Sequence, residues 1–456
     1  MELAKKIEGL TEEMLEKLGR LVKYNSVQGE ALPGKPFGEQ PAAVLQEALK
    51  IAEELGFRVK NLDNYCGYAE IGEGEELIGI AGHLDIVPVG SHWTYDPFCL
   101  TRVGDRVYGR GTTDDKGPLI ESLYAAKLLQ ESGEPLKKRI RIIMGCNEET
   151  GSACMAHYNE VEEELTMGFT PDGNFPCIYG EKGHMNMLAE SKKTRILSMN
   201  GGFVTNAVCD ECTTVIPAGS VDVTALKKAL SETALASFAV TETAEGLKID
   251  ARGVAAHAST PLLGVNAAGC TMEALQTAGF KDDFVDFYVS HIGTACDGAG
   301  CGLKFEDAYG PLTFNNGIVK TENGKITCTI DIRVPVTVTE EQLRTSSAPY
   351  LEDEKGKITI LSIGKPLFYP EDSALVQSLY RAYVEVTGDT ENKPMVIGGG
   401  TYAKALKNII AFGPEMPGVD YRIHNADEFI TIQDLQKSTE IYYRALQNMV
   451  RQGAEA

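Results

Sequence analysis

The sequence predicts an α/β protein in which a second domain is inserted into the first. Three observations lead to this fold class. Short apolar strands alternate with helices early in the chain, a long middle region changes to strand-like alternation, and helical spacing returns near the C-terminus. A chain of 456 residues is also longer than one hydrophobic core normally supports, so we expect at least two domains.

The early part of the chain alternates helix and strand signals. Residues 40–58 carry apolar side chains at helical spacing, and a glycine suited to a helix C-terminus lies near their end. Residues 77–83 and 140–146 are short apolar runs typical of buried parallel strands. Between them, residues 118–130 have the period of a helix with a proline in its first turn. The predicted order is strand, helix, strand, with polar clusters where the strands end.

The domain boundaries are predicted from where this pattern changes. Residues 189–369 alternate as strands do, contain a longer helix near residues 267–278, and lack the polar clusters of the early part. We therefore assign residues 1–188 and 370–456 to one domain in two parts. The intervening residues form an inserted α+β domain, long enough for two subdomains of ordinary size.

The charge balance excludes two classes of partner. The chain has 65 acidic and 43 basic residues, a formal net charge of -22, and so lacks the excess of Lys and Arg that nucleic acids or anionic membranes require. Residues 1–8 contain no apolar run, so we expect neither a secretory signal nor a membrane-spanning helix. Eleven cysteines without regular spacing fit a reducing compartment, and the sequence therefore predicts a cytoplasmic protein.

Cys209 and Cys212 form a C-x-x-C pair. Such a pair could be redox-active or could form half of a zinc knuckle, but no second pair follows at a suitable spacing. We interpret both residues as small apolar side chains of the core.

Five short segments concentrate side chains that commonly bind metals. They are residues 82–85 (GHLD), 109–117 (GRGTTDDKG), 147–151 (NEETG), 170–173 (TPDG) and 422–424 (RIH). Taken alone, a His or Asp near a strand end is more often a capping or surface group than a metal ligand. In open α/β sheets, however, ligand sites lie outside the carboxyl ends of the strands, so segments distant in sequence can meet there. Together they supply two imidazoles and several carboxylates, which suits a site for two divalent metals.

In this order, the five segments resemble those of the di-zinc metallopeptidase family that contains carnosinase and aminoacylase. The resemblance covers nearly the whole chain, and segments such as GHLDIVPVGSHWTYDPF, YGRGTTDDKGP and FTPDGNFPCIYGEKG are most similar to its bacterial dipeptidase V branch. It implies a mixed-sheet catalytic domain with an inserted lid domain, two divalent metal ions, and hydrolysis of dipeptides with a free C-terminal carboxylate. Zinc is the expected metal, with manganese and cobalt as alternatives.

The resemblance also implies a set of metal ligands. It assigns Asp114 to a position between the two metals. His83 and Asp172 are expected to complete one site. Glu149 and His424 are expected to complete the other. Three carboxylates offset most of the charge of two divalent ions, so such a cluster can lie in a partly buried cleft.

Residues beside these ligands are expected to have catalytic roles. The resemblance makes Glu148 the general base that activates a water bridging the metals and then passes the proton to the leaving amine. Without the other segments, two adjacent glutamates would indicate a solvated helix start. Asp85 lies two positions from His83, so we expect its carboxylate to accept the second ring proton of that histidine. Asp115 is expected to be a residue at a helix N-terminus.

Five further residues are predicted to contact the substrate. His257 resembles a histidine that donates to the developing oxyanion, and Asn206 matches a substrate-contacting asparagine. Arg333 resembles an arginine whose planar fork takes the substrate carboxylate, although it could instead pair with a strand neighbour. Gly400 and Thr401 could offer backbone N–H groups to a carboxylate, although a run of glycines is also simply a turn.

Two other functions remain open at this point. The same metal chemistry would serve an N-acyl or N-succinyl amide hydrolase, because specificity lies in the pocket. A non-catalytic binding protein is the other alternative, which a missing ligand or base would favour; all five ligands and Glu148 are present.

The resemblance also implies an oligomeric state. In dimeric members of the family a shorter inserted domain leaves the oxyanion histidine to the partner chain, whereas the long insertion here resembles the dipeptidase V pattern and implies a monomer. The alternative is that the extra length is peripheral and that the chain dimerises through an exposed strand edge.

Overall fold

The structure, a computed structural model, describes residues 2–133 and 136–451 and divides them into two units. The first unit comprises the described residues of 1–180, 368–396 and 400–456, and the second comprises residues 181–367 and 397–399. Each unit has its own main sheet.

Ten α-helices lie within the described residues, and none of them is long and apolar enough to cross a membrane. They are α1 (Glu2–Val22), α2 (Glu39–Glu54), α3 (Lys116–Glu131), α4 (Ala153–Val161), α5 (Val223–Ser231), α6 (Ala267–Thr277), α7 (Asp283–His291), α8 (Glu340–Ser347), α9 (Ala374–Thr387) and α10 (Ile432–Arg451).

The strands differ in length, and the longest of them lie in the second unit. The first nine are β1 (Arg58–Leu62), β2 (Cys66–Ile71), β3 (Leu77–His83), β4 (Thr101–Val103), β5 (Arg106–Tyr108), β6 (Arg139–Gly145), β7 (Met167–Thr170), β8 (Gly173–Asn174) and β9 (Ile178–Glu181). The next ten are β10 (Gly183–Ser191), β11 (Ser198–Gly201), β12 (Glu211–Ile216), β13 (Ser237–Glu242), β14 (Leu247–Arg252), β15 (Glu306–Asp307), β16 (Gly310–Pro311), β17 (Thr313–Glu322), β18 (Lys325–Val334) and β19 (Gly356–Gly364). The last five are β20 (Leu367–Phe368), β21 (Met395–Ile397), β22 (Ile409–Ala411), β23 (Pro414–Glu415) and β24 (Phe429–Thr431).

A nine-stranded mixed sheet forms the centre of the first unit, as the α/β fold class predicts. Its order is β1-β2-β6-β3-β7-β22-β9-β20, with β21 paired to β9. β3 is parallel to both β6 and β7, whereas β2 pairs with β6 in the antiparallel sense. All seven residues of β3 are buried, which explains its continuous apolar sequence. The carboxyl ends of β3, β6 and β7 therefore lie at one edge, where three of the five predicted ligand segments begin.

The second unit is built on an eight-stranded sheet of order β13-β14-β12-β11-β17-β18-β10-β19. Alternate residues of β18 face an apolar core, and the residues between them form a more polar face. The unit begins at Glu181 instead of residue 189, because β10 pairs along its length with β18 and β19. One continuous sheet runs through the unit, and a division into two subdomains stays a prediction.

Candidate metal centre

The first unit brings the five expected ligands together in two overlapping groups. His83, Asp114 and Asp172 form one group, and one ligand atom of each lies within 4.8 Å of the others. Asp114, Glu149 and His424 form the second group by the same measure. Asp114 belongs to both groups, so a single carboxylate connects them.

Asp114 lies between two imidazoles and directs one oxygen to each. Its Oδ1 is 2.9 Å from Nε2 of His83, and its Oδ2 is 2.8 Å from Nε2 of His424. Burial raises the pKa of Asp114, but the contacts with His424 and His83 outweigh that effect and hold the pKa below its ordinary value. The remaining ligands are slightly farther away. Asp172 Oδ2 is 3.9 Å from His83 Nε2, and Glu149 Oε1 is 3.2 Å from His424 Nε2.

The end of β3 fixes the orientation of the His83 ring. Nδ1 of His83 lies 2.9 Å from the backbone carbonyl oxygen of Asp85, which can only accept a hydrogen bond. A neutral His83 ring therefore carries its proton on Nδ1, which leaves the lone pair of Nε2 facing the carboxylates of the cluster. This tautomer suits a metal ligand, because the coordinating nitrogen must be free of a proton.

The Asp85 carboxylate has a different contact from the one expected. It lies 3.6 Å from Nδ1 of His83, farther than the Asp85 carbonyl does. Its two oxygens instead accept the backbone N–H groups of Glu148, at 3.0 Å, and Glu149, at 3.1 Å. The reason is that the backbone N–H groups of two consecutive residues can each bind one oxygen of the same carboxylate. Asp85 thus positions the turn that carries the expected base and one expected ligand.

Glu148 is half-buried in the turn that follows β6 and belongs to neither ligand group. Burial, and after it the charge of Asp172, raises the pKa of its carboxyl well above the ordinary value. A carboxyl beside the cluster but outside both groups is free to transfer protons.

Sequence reasoning missed Glu428, which holds the loop that carries Asp114. One oxygen of the buried Glu428 carboxylate accepts a hydrogen bond from Nη1 of Arg110 at 2.7 Å. The other accepts backbone N–H groups of Gly111 at 3.0 Å, Thr113 at 3.0 Å and Asp114 at 3.2 Å. The available signal was an acidic residue four positions after His424.

Asp115 lies directly before α3, as expected of a residue at a helix N-terminus. Its side chain makes no capping hydrogen bond there. Its Oδ2 instead accepts the backbone N–H of His83 at 3.0 Å. Asp115 therefore ties the start of α3 to the end of β3.

The donor set fits two divalent cations. It offers two imidazole nitrogens and three carboxylates in two groups, a composition that suits zinc and its neighbours among the transition metals. Burial, and then the charge of Asp114, raises the pKa of Glu149 even though His424 is close by. Burial and the nearby charge of Asp114 thus disfavour the ionised form of Glu149, and bound cations would favour it.

The second unit places Asn206 and His257 side by side on two exposed loops. Ala207 and His257 form an antiparallel bridge, and the N–H of Ala258 donates to the carbonyl of Asn206 at 2.8 Å. Nδ1 of His257 accepts the backbone N–H of Ser259 at 3.2 Å and lies 2.7 Å from the Ser259 hydroxyl. A neutral His257 ring therefore carries its proton on Nε2, where it can be donated in a hydrogen bond.

Two polar side chains of β17 hold these loops, and sequence reasoning missed both. Asn315 donates from Nδ2 to the carbonyls of Thr205, at 3.3 Å, and Ala207, at 2.9 Å. Thr313 donates from its hydroxyl to the carbonyl of Ala258 at 2.9 Å. The usable signal was their spacing of two residues, which puts both side chains on one face of a strand.

Arg333 pairs within its own strand. Nε donates to Oδ1 of Asp331 at 2.8 Å, Nη2 donates to Oδ2 at 3.0 Å, and Nη1 donates to the carbonyl of Gly398 at 3.2 Å. The pairing with a strand neighbour, weighed above as the alternative to carboxylate binding, is therefore present. It leaves part of the guanidinium unengaged among the described residues.

The remaining expected residues have local structural contacts. The Thr401 hydroxyl accepts the N–H of Ala403 at 3.1 Å and begins a short helical turn, and Gly400 precedes it. Cys209 and Cys212 are buried in the core of the second unit, in keeping with their interpretation as apolar side chains.

Comparisons with known proteins agree with this geometry. The family model described as "Peptidase family M20/M25/M40" matches residues 79–448, which is more than half of the chain. A Bacillus subtilis (strain 168) protein with the printed name "Putative dipeptidase YtjP" is 35% identical over 458 residues, covering 96% of this chain and 98% of its own length. A Staphylococcus haemolyticus (strain JCSC1435) protein with the printed name "Putative dipeptidase SH1171" is 31% identical over 469 residues, covering 98% of this chain and 99% of its own length.

Solved structures show the same fold. Human carnosine dipeptidase 1 superposes with a TM-score of 0.62 at 16% identity, covering 99% of this chain and 98% of the other. The YXEP protein of Bacillus subtilis, described as a dinuclear metal-binding peptidase of the M20 family, gives a TM-score of 0.50 at 10% identity, covering 98% and 99%. The expected mixed α/β peptidase fold is confirmed.

Proposed function

We propose that this chain, which belongs to peptidase family M20/M25/M40, is a metal-dependent dipeptidase. Its substrates would be dipeptides with a free C-terminal carboxylate. The observation that carries the proposal is the pair of ligand groups that share Asp114, with Glu148 beside them. Similarity over the full length to relatives described as dipeptidases favours dipeptides among the amides this chemistry could cleave.

The metal ligands follow from the two groups. His83, Asp114 and Asp172 would hold one divalent ion, and Glu149 and His424 would hold the second together with Asp114. When bound, the ions polarise the scissile carbonyl and lower the pKa of water towards neutrality. Zinc is proposed first, with manganese or cobalt as alternatives, because imidazole and carboxylate ligands suit all three.

The side chains of the chain divide the remaining work. Glu148 accepts the proton of the attacking water and delivers it to the leaving amine. His257, with its proton on Nε2, donates a hydrogen bond to the oxyanion. Arg333 binds the C-terminal carboxylate, and Asn206, whose loop is joined to that of His257, contacts the substrate.

Compartment and oligomeric state belong to the same proposal. Nine of the eleven cysteines are buried and all are free thiols, which supports a reducing compartment such as the cytoplasm. We propose that one chain supplies every catalytic residue and works as a monomer.

A metal analysis combined with a small substrate panel tests the function. The purified protein should contain two divalent ions per chain, hydrolyse β-alanyl-histidine, lose this activity on chelation and regain it with zinc. It should cleave the free dipeptide faster than the N-acetyl analogue. Faster cleavage of the N-acetyl compound would indicate an acylase, and a protein with two metals but no turnover would indicate a binding protein.

A further inference from the structure

The contact between Asp331 and Arg333 has the geometry of a fixed fork. The two residues lie two positions apart on β18, so their side chains share one face of the sheet. Both are largely buried, with 8% of the Asp331 side chain and 13% of the Arg333 side chain exposed. Asp331 takes one edge of the guanidinium, through Nε and Nη2, with two nearly parallel hydrogen bonds.

The remaining donors of Arg333 are few and defined. Arginine has five N–H donors, and the contacts with Asp331 and Gly398 occupy three of them. One N–H on each terminal nitrogen has no partner among the described residues. A carboxylate needs two donors of this kind, because its two oxygens bind a guanidinium best as a pair.

The fork lies on a strand that is hydrogen-bonded on both sides. β18 is an inner strand, paired with β17 on one side and with β10 on the other. The register places Arg333 opposite Thr313, and Asp331 opposite Asn315. These are the residues whose side chains hold the loops of His257 and Asn206. The fork therefore belongs to the same polar face as the supports of the two other expected substrate residues.

We propose that Asp331 is a positioning residue for substrate recognition. It holds the guanidinium of Arg333 in one orientation, so that the two remaining N–H groups receive the C-terminal carboxylate of the dipeptide without further loss of side-chain freedom. The inference rests on the proposed dipeptidase function and deepens it. Asp331 itself does not touch the substrate.

A purely electrostatic role for Asp331 would have the opposite effect on substrate binding. Removing a negative charge beside Arg333 should by itself attract the substrate carboxylate more strongly and lower KM. Losing the orientation of the fork should instead raise KM. In Asp331→Asn the volume is kept, but one acceptor becomes an NH2 donor that cannot pair with an arginine N–H. This variant therefore separates the two roles by the sign of the change.

The test compares Asp331→Asn with wild type on a dipeptide and on the same dipeptide with an amidated C-terminus. We expect KM for the free dipeptide to rise about tenfold or more, because a charge-assisted contact is lost, while kcat and metal content change much less. The amidated substrate should be almost unaffected. The matched control is Asp250→Asn, since Asp250 also pairs with a cation two positions away, Lys248, on a strand of the same sheet. It should leave both substrates unchanged.

A double variant shows whether Asp331 acts through Arg333. In an Arg333→Ala background, Asp331→Asn should cause no further rise in KM, because the fork that it orients is gone. Additive effects, a lower KM, or equal losses on both substrates would overturn the inference.

If Asp331→Asn does not fold, Asp331→Glu tests the same inference, since it keeps the charge and both acceptors but displaces them. An unchanged KM of Asp331→Glu would then contradict a positioning role for Asp331. A wild-type protein that cleaves no dipeptide would instead refute the proposed function, and this inference with it.

Discussion

The two units hold their expected functional residues in different ways. In the first unit His83, Glu149 and Asp172 lie at or shortly after the ends of the parallel strands β3, β6 and β7. The buried carboxylates of Asp85 and Glu428 accept hydrogen bonds from backbone N–H groups in the ligand loops. In the second unit Asn206 and His257 are exposed on loops, and neutral side chains on a sheet face hold the loop carbonyls. The carboxylates of Asp85 and Glu428 place negative charge near a cation site, whereas the side chains of Thr313 and Asn315, which hold the two loops, add no charge. Variants in the two units should therefore fail differently.

The largest expected effect is in the first unit, at Glu148. Glu148→Ala should lower kcat by about a hundredfold to ten-thousandfold, the usual contribution of a positioned general base, while metal content stays at the wild-type level. Steady-state kinetics and metal analysis of the same sample check both parts. Glu160→Ala, at an exposed position of α4, is the control and should behave as wild type. Near-normal turnover of metal-replete Glu148→Ala would show that Glu148 is not the general base.

His257 provides the corresponding test in the second unit. His257→Ala should lower kcat by about a hundredfold to a thousandfold, as loss of an oxyanion donor does, without changing metal content. Mixing His257→Ala chains with Glu148→Ala chains under conditions of subunit exchange should leave the mixture inactive, because each chain lacks a residue that it must supply itself. Recovery of activity in the mixture would show that His257 acts across an interface.

The supporting residues sharpen the comparison further. Glu428→Gln should weaken metal affinity by about tenfold to a hundredfold, because the loop that carries Asp114 loses a charged anchor. Asn315→Ala should leave metal affinity unchanged and reduce turnover only, since its contacts are to the loops of the second unit. Titration with a competing chelator measures the first effect, and kinetics the second. Equal effects of both variants on metal affinity would show that the two units are not distinct in this way.

Sequence reasoning located the elements of the first unit well. The predicted strands 77–83 and 140–146 correspond to β3 and β6, and the predicted helix 118–130 corresponds to α3. Long apolar runs and dense polar clusters carry this information directly. The lower boundary of the inserted domain was placed later than the structure has it, because β10 follows the last ligand segment almost at once.

The supports could not be predicted in the same way. Glu428 accepts hydrogen bonds from backbone N–H groups, and Asn315 donates to backbone carbonyls. Nearly every residue has both groups, so the sequence does not indicate which residues are the partners. Asp85 shows the same limit. Its carboxylate was expected to accept a hydrogen bond from the ring of His83, but it accepts hydrogen bonds from two backbone N–H groups. A pair of side chains two positions apart, such as Asp331 and Arg333, can be predicted from strand periodicity once the strand is known.

The smallest expected effect is on stability and concerns a buried carboxyl of the first unit. Both oxygens of Glu121 on α3 lack a hydrogen-bond partner among the described residues, and burial raises its pKa well above 4.5. Above pH 4.5 the carboxyl ionises in the unfolded state but stays protonated in the folded state, so the resulting loss of stability is absent below pH 4.5 and grows as pH rises towards the folded-state pKa. Glu121→Gln should therefore raise the Tm relative to wild type by about 2 °C or more at pH 8, and by less at pH 5. Thermal melts at both pH values measure this, with exposed Glu131→Gln as the control. A pH-independent difference would contradict it.

The central claim is that two divalent ions are held by two ligand groups with Asp114 in common. The most direct measurement is the number of metal ions per chain in wild type, Asp172→Ala and Asp114→Ala after equilibration at one limiting free-metal concentration. The expected result is two ions for wild type, close to one for Asp172→Ala, and close to none for Asp114→Ala, because only the last change damages both groups. Retention of two ions by Asp114→Ala, or equal losses in the two variants, would contradict a shared carboxylate.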